Sequence, residues 1–267
     1  MNPMLNIGVK AARRAGSVIM RHLDRIDELT IEQKGRNDFV SEVDRMAEET
    51  IIGTIQESYP DHGFLAEESG EHRDEKSESA FEWVIDPLDG TTNFLHGYPQ
   101  FAVSIALRRK GVLEQAVVFD PLHNELFTAS KGGGAQLNNR RMRVSKVSRL
   151  GDALLGTGFP FKEIEHIDPW MRTFGSLLPK VSGVRRAGSA ALDLAYLACG
   201  RFDGFWEMGL KPWDMAAGCL LVREAGGLIA DFQGEQSHLE SGHIVAGNPR
   251  IFGQLLQIVR QHAGSPE

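Results

Sequence analysis

The sequence predicts a layered arrangement of sheets and helices in one domain, 1–267, made of two packed lobes, about 1–147 and 148–267. Three observations lead there. Amphipathic helical periods stand near both ends, β-like runs fill 101–138, and strands alternate with helices from 153 onward. A chain of 267 residues can bury a substantial core.

Asn2 is a good N-cap and Pro3 a good first helical residue. Leu5, Val9, Ala12, Gly16, Ile19 and Leu23 then recur at helical spacing, so a helix is expected over about 3–23. A second helix should begin near Ser41–Asp44 and reach Tyr59-Pro60, with Ala47, Ile51 and Ile55 inward. Phe64-Leu65-Ala66 and Trp83-Val84-Ile85 read as short buried strands, each ending in carboxylates. Between them Gly70–Ser79 is charge-dense and reads as a surface loop. Strands are expected at Val103–Leu107, Ala116–Phe119 and Glu125–Ala129, divided by turn-forming residues. Gly132-Gly133-Gly134 lacks the ending of a phosphate-binding loop and reads as a turn. Farther on, strands are expected near Ala153–Gly156, Val181–Arg186, Gly204–Glu207, Leu228–Asp231 and His243–Ala246. Helices are expected near Asp168–Leu178, Ser189–Ala198, Pro212–Ala225 and from Pro249 to about His262.

The formal net charge of −7 disfavours non-specific nucleic-acid or anionic-membrane binding. It would also repel an anionic substrate unless cations mediate. No apolar run approaches a membrane span and no signal peptide is visible, so a cytoplasmic protein is expected. Cys199 and Cys219 read as reduced core thiols, and the nine histidines show no structural-zinc spacing.

The informative segment is Trp83-Val84-Ile85-Asp86-Pro87-Leu88-Asp89-Gly90-Thr91-Thr92-Asn93-Phe94. An apolar strand delivers two carboxylates three residues apart, and Gly90 lets the backbone turn into a helix start at Thr91. Free N–H groups there suit a phosphate. Further acids stand at other apolar element ends: Glu67-Glu68 after Phe64–Ala66, Asp214 opening a helix, and Asp44 before another. Asp44 and Asp214 read equally well as helix N-caps. Carboxylates gathered at such ends are costly together unless cations neutralise them, and hard oxygens suit Mg²⁺.

Jointly and in this order, Glu67-Glu68-Ser69, Asp86-Pro87-Leu88-Asp89-Gly90-Thr91-Thr92-Asn93, Trp206-Glu207-Met208-Gly209 and Trp213-Asp214-Met215-Ala216-Ala217-Gly218 resemble the inositol monophosphatase family, from Lys34-Gly35 through the tail. The resemblance implies an α+β fold, an αβαβα layered sandwich shared with fructose-bisphosphatases. It implies hydrolysis of an inositol monophosphate by a metal-activated water, inhibited by Li⁺, with two to three Mg²⁺ per site. Glu67, Asp86 and the Leu88 carbonyl would hold the first ion, and Asp86, Asp89 and Asp214 the second; Glu67 would help hold a third. Glu67, Thr91 and Asp44 would be catalytic, with Asp44 accepting the Thr91 hydroxyl proton. Gly90 and Thr91 would seat the phosphate, and Asp89, Gly188, Ser189, Ala190 and Glu207 would face the polyol.

Gly188-Ser189-Ala190 and Glu207 stand where nucleotide-cleaving relatives typically carry Gly-Ser-Ser-Leu-Lys and a basic residue, a departure that argues against a nucleotide. Alternative substrates are fructose 1,6-bisphosphate, glycerol phosphate and adenosine 3',5'-bisphosphate. A haloacid-dehalogenase-type mechanism needs Asp-x-Asp, one residue tighter than Asp86 and Asp89. The resemblance also implies a homodimer, for which Phe159–Phe161 and Trp170 offer contact surface or core. Bacterial members of the type most similar to this chain associate with RNA polymerase and Nus factors in antitermination. The basic stretch Arg140, Arg141, Arg143, Lys146 and Arg149 reads as a solvated loop that such a partner could use.

Overall fold

The computed structural model describes residues 2–29, 31–35, 38–72, 79–160 and 163–262. Helix α1 (Pro3–His22) starts as its sequence requires: Asn2 Oδ1 accepts from Met4 N at 2.9 Å, with Pro3 in the first turn. Strands β1 (Ile31–Gly35) and β2 (Asp38–Ser41) form an antiparallel hairpin that the hydrophobic pattern did not announce. Helix α2 (Glu42–Gln56) follows and stops short of Tyr59. Its N-cap is Ser41, and Asp44 accepts from the Ser41 backbone N–H at 2.8 Å. Asp44 is thus the reciprocal member of a capping box, three residues inside the cap.

Next come β3 (Gly63–Ala66), β4 (Gly70–His72), β5 (Phe81–Asp89) and α3 (Thr91–Leu95). The stretch expected as a loop from Gly70 opens as a strand instead: β4 folds back antiparallel on β3. Main-chain pairing defines it, since Glu71 and His72 are exposed, and a burial pattern could not reveal it. Residues 73–78 of that stretch lie outside the described residues. Strands β6 (Ala102–Arg109), β7 (Val112–Asp120), β8 (Glu125–Ser130), β9 (Gly134–Leu137) and β10 (Arg140–Arg141) complete an eight-stranded sheet of order β10-β9-β8-β7-β6-β5-β3-β4.

The rest of the chain runs β11 (Leu154–Thr157), α4 (Ile167–Leu177), β12 (Gly183–Arg185), α5 (Ala190–Ala198), β13 (Gly204–Glu207), α6 (Pro212–Glu224), β14 (Leu228–Ala230), α7 (His238–Ser241), β15 (Ile244–Gly247) and α8 (Pro249–His262). The second sheet has the order β12-β11-β13-β15-β14, with β12, β11 and β13 parallel and β15 antiparallel to both its neighbours.

Helices α1 and α2 pack together on the outer face of the first sheet. Helices α5 and α6 pack on each other between the sheets, and α4 and α8 cover the far face of the second. This is the αβαβα sandwich. Helices α5 and α6 are apolar nearly all round because both sides meet core. Phe64, Trp83 and Phe119 pack under α1 and α2; Trp206 and Phe232 pack under α4 and α8, in one cluster with Trp170 of α4.

Trp170 is therefore core, stacked on Phe174, and is removed from the candidate dimer surface. Phe159 remains 46% exposed, and Phe161 lies outside the described residues. The basic residues from Arg140 to Arg149 are exposed, but not all in a loop as expected: Arg140 and Arg141 form edge strand β10, paired with β9. Only Arg143, Lys146 and Arg149 lie on the connection between the sheets, where Arg149 pairs with Asp152 at 2.8 Å. Among the described residues the cysteines are unpaired, and no helix is long and apolar enough to cross a membrane.

Candidate active site

In an unbroken strand, residues three apart point to opposite faces, so Asp86 and Asp89 would diverge. Pro87 lacks an N–H and cannot continue the ladder. The register accordingly slips: Asp86 pairs with Ser104 and Asp89 with Ala102, one residue more on β5 than on β6. The bulge resets the alternation, and both carboxylates face one cleft. Leu88 N donates to Asp86 Oδ1 at 3.0 Å, fixing that carboxylate, while the Leu88 side chain goes into the core. Gly90 then turns the chain at φ +96, and a Cβ there would stand 2.8 Å from the Gln100 carbonyl oxygen. Both facts require glycine.

Helix α2 supports this turn from behind with two carboxylates at i and i+4. Asp44, 1% exposed, accepts the Thr91 hydroxyl on Oδ1 at 2.8 Å; its Oδ2 accepts from Ser41 N and from Ser41 Oγ at 2.6 Å. The Leu88 carbonyl, 3.0 Å from Thr91 Oγ1, is the alternative acceptor for that proton. Glu48, also buried, accepts from Glu68 N and Ser69 N, both at 2.9 Å, and so holds the turn that follows Glu67. Sequence reasoning missed Glu48, although its place one helical turn after Asp44 carried the signal.

The second half of the chain closes the cleft. Ser189 caps α5 and donates to Asp89 Oδ2 at 2.6 Å, and Ala191 N donates to the same oxygen at 2.7 Å. The Asn93 amide donates to Gln100 O at 2.7 Å and Ala187 O at 2.9 Å, stapling the approach to α5 onto α3. Asp214, like Asp44, sits three residues inside its cap rather than on it, and accepts from Lys211 N at 2.6 Å. The cavity so enclosed is about 710 Å³. From the first half of the chain Glu67, Asp86, Leu88, Asp89, Gly90 and Thr91 line it; from the second half, Gly188, Ser189, Ala190, Glu207 and Asp214. Asp44 alone of the expected residues does not reach it, being screened by Thr91. Arg186, Asp193, Glu163 and Lys211 also line it and had not been singled out.

Negative charge accumulates here. Burial, then the charges of Glu67, Asp89 and Asp214, push the Asp86 carboxyl well above the usual range. Burial pushes Asp89 up to about 6 against the hydrogen bonds from Ser189 and Ala191. Burial, then Asp214 and Asp89, push Glu207 up to about 8, opposed by Arg186. A divalent cation would reverse each of these shifts. Among the described residues no group of three or more Asp, Glu, His or Cys side chains is placed so that it could hold a metal ion. Mg²⁺ ordinarily completes its octahedron with water and substrate phosphate, so an open, all-oxygen set fits it and not structural zinc.

An αβαβα sandwich with an oxygen-lined cleft between its sheets is of the sugar-phosphatase type. The chain belongs to the inositol monophosphatase family, whose profile matches residues 1–263. It is 54% identical over 264 residues to the Nus factor SuhB of Pseudomonas aeruginosa, covering 98% of this chain and 97% of that one. The crystal structure of extragenic suppressor protein suhB from Bartonella henselae superposes with a TM-score of 0.94 at 44% identity, covering 97% of this chain and 99% of that one. Inositol monophosphatase from Anabaena superposes with a TM-score of 0.85 at 40% identity, covering 97% and 95%.

Proposed function

We propose that the protein is a Mg²⁺-dependent phosphatase that converts inositol monophosphate to myo-inositol and phosphate. One observation carries this reading: Glu67 after β3, Asp86 and Asp89 on β5, and Asp214 on α6 line a single cleft into which Gly90 and Thr91 also face. An anion enters such a cleft only with cations.

Glu67, Asp86 and the Leu88 carbonyl would hold one ion, Asp86, Asp89 and Asp214 a second, and Glu67 would contribute to a third. Bound Mg²⁺ lowers the pKa of an attacking water and offsets charge on the phosphoryl and departing oxygens. The chain's own residues do the rest. Thr91 donates its hydroxyl hydrogen bond to Asp44, which leaves its lone pairs to accept a hydrogen from the incoming water. Glu67 accepts the other. The N–H groups of Gly90 and Thr91 donate to the phosphate, in a turn fixed by Phe94 N on Gly90 O at 3.0 Å. Gly188, Ser189 and Ala190 bound the polyol, and Glu207 accepts from its hydroxyls. The three-residue spacing of Asp86 and Asp89 suits in-line attack by water without a phosphoenzyme.

Phosphate release from inositol 1-phosphate, glycerol 2-phosphate, fructose 1,6-bisphosphate and adenosine 3',5'-bisphosphate in Mg²⁺ tests the reading. Inositol 1-phosphate should give the highest kcat/KM; no turnover of any of them would overturn it.

A second reading rests on the 54% identity to a Nus factor. We infer that the protein also joins an RNA polymerase–Nus factor complex in antitermination, as a homodimer that presents Phe159 and the exposed Ile167 and Met171 of α4 to its copy. Co-purification with RNA polymerase, and rescue of a deletion strain by Asp214→Asn, would support it. Sedimentation as a monomer at micromolar concentration would refute the dimer.

A further inference from the structure

Helix α5 is apolar throughout except for one residue, Asp193, which is 1% exposed. A carboxyl group at such a place ordinarily has partners, because an unmet buried polar atom costs roughly 1–3 kcal/mol. Asp193 Oδ1 has no hydrogen-bond partner within the protein. Its backbone is in order, with Asp193 N donating to Ser189 O at 3.0 Å as the helix requires. The group nevertheless lines the same cleft as Ser189, Ala190 and Glu207.

Its surroundings define what it can meet. Glu207 and Asp89 are the acidic charges that act on it, and the Arg186 guanidinium opposes them. Glu207 lies against Gly158 so closely that a Cβ there would stand 1.7 Å from Glu207 Oε1. The cleft wall is cut back at that point to admit the carboxyl. Two adjacent acidic side chains in one wall, with a guanidinium nearby, cannot receive a second phosphate well. They match a hydroxylated ring instead, since each ring hydroxyl can donate to one carboxyl oxygen and accept from another group.

We propose that Asp193 is a specificity-determining residue whose unpartnered carboxyl oxygen pairs with a ring hydroxyl of the polyol, beside the hydroxyl read by Glu207. This deepens the phosphatase reading and rests on it. The free protein carries the unmet oxygen as a destabilising feature, and the substrate satisfies it. A site built around a hydroxyl discriminates strongly against a leaving group that lacks one.

The test compares Asp193→Ala and Asp193→Asn with the parent protein on inositol 1-phosphate and on p-nitrophenyl phosphate, whose leaving group offers no ring hydroxyl donors. Asp193→Ala should raise KM for inositol 1-phosphate about ten- to a hundred-fold and leave kcat/KM for p-nitrophenyl phosphate within about two-fold. Asp193→Asn, which keeps an acceptor, should fall between. Without substrate, Asp193→Asn should melt at or above the parent temperature, because it removes a buried acid whose Oδ1 no protein group satisfies. Equal losses on both substrates, an unchanged KM for inositol 1-phosphate, or a large drop in Tm for both variants would overturn the proposal. Failure of the phosphatase reading is a separate result, in which the parent protein turns over neither substrate. Even then, protection of the parent but not of Asp193→Ala by about 50 mM myo-inositol in a thermal melt would retain the polyol subsite, and protection of neither would reject it.

Discussion

Asp44→Asn is a nearly isosteric change whose consequence follows from which neighbours can only donate. Ser41 N is an obligate donor on Asp44 Oδ2, 2.8 Å away. In the asparagine variant the amide oxygen must face Ser41 N, which aims the NH₂ group at Thr91 Oγ1 from the side that previously accepted its proton at 2.8 Å. Thr91 must then turn its hydroxyl to the Leu88 carbonyl, the acceptor 3.0 Å away. One lone pair is taken by the amide and the carbonyl proposed as a metal ligand is engaged. Folding should suffer little. The capping box keeps its backbone hydrogen bond, and loss of its charge-assisted part, typically about 1 kcal/mol for a cap, is offset by no longer burying a carboxylate that burial already pushes above its usual range. Water positioning of this kind contributes roughly 10²–10⁴ in rate. Asp44→Asn should therefore lower kcat by about that factor with KM nearly unchanged and Tm within a few degrees. Thr91→Ala should do the same, Thr91→Ser should be nearly normal, and the Asp44→Asn/Thr91→Ala double variant should be little worse than either single one. Steady-state kinetics on all four, with thermal melts, decide it. Additive losses in the cycle would show that Asp44 acts only as a helix cap and that the relay is wrong.

The remaining predictions concern the metal ligands, the metals themselves and pH. Asp214→Asn keeps an oxygen for Lys211 N, so unfolding free energy should change by no more than about 1 kcal/mol while kcat/KM falls by orders of magnitude; normal turnover at ordinary Mg²⁺ would remove Asp214 from the ligand set. EDTA-stripped protein should be inactive, Mg²⁺ should restore turnover and raise Tm, and Li⁺ should inhibit; full activity in EDTA would be fatal to the proposed chemistry. His238 is buried, and burial followed by the Arg223 charge lowers its pKa from 6.5 to about 4. The unfolded chain therefore takes up a proton between about pH 6.5 and 4 that the fold excludes, so stability is complete above that window and is lost as pH falls through it. The parent Tm should drop more steeply from pH 7 to 5 than that of His238→Gln, and parallel curves would count against this assignment.

Local rules determined much of this protein directly. The Asn2-Pro3 helix start, the long strands with their turns and the apolar helices α5 and α6 follow from caps, periodicity and composition, which act over a few residues. The hydrophobic pattern did not announce the hairpin β1–β2, and the edge strand β4 was illegible because main-chain pairing, not a buried face, defines it. The sequence also located the acidic segments and, through the family resemblance, assigned each a role. What only the tertiary structure decided is how those segments meet. The bulge at Pro87 turns Asp86 and Asp89 to one side, packing of α2 under β5 brings Asp44 across 47 residues to Thr91, and the middle helix layer carries Ser189, Asp193 and Asp214 to the same cleft. Glu48 and Asp193 show the limit most clearly. Each is an acid in a helix, and only its neighbours distinguish the one that holds a turn from the one left without a partner, because burial and hydrogen bonding belong to the packed chain and not to any segment of it.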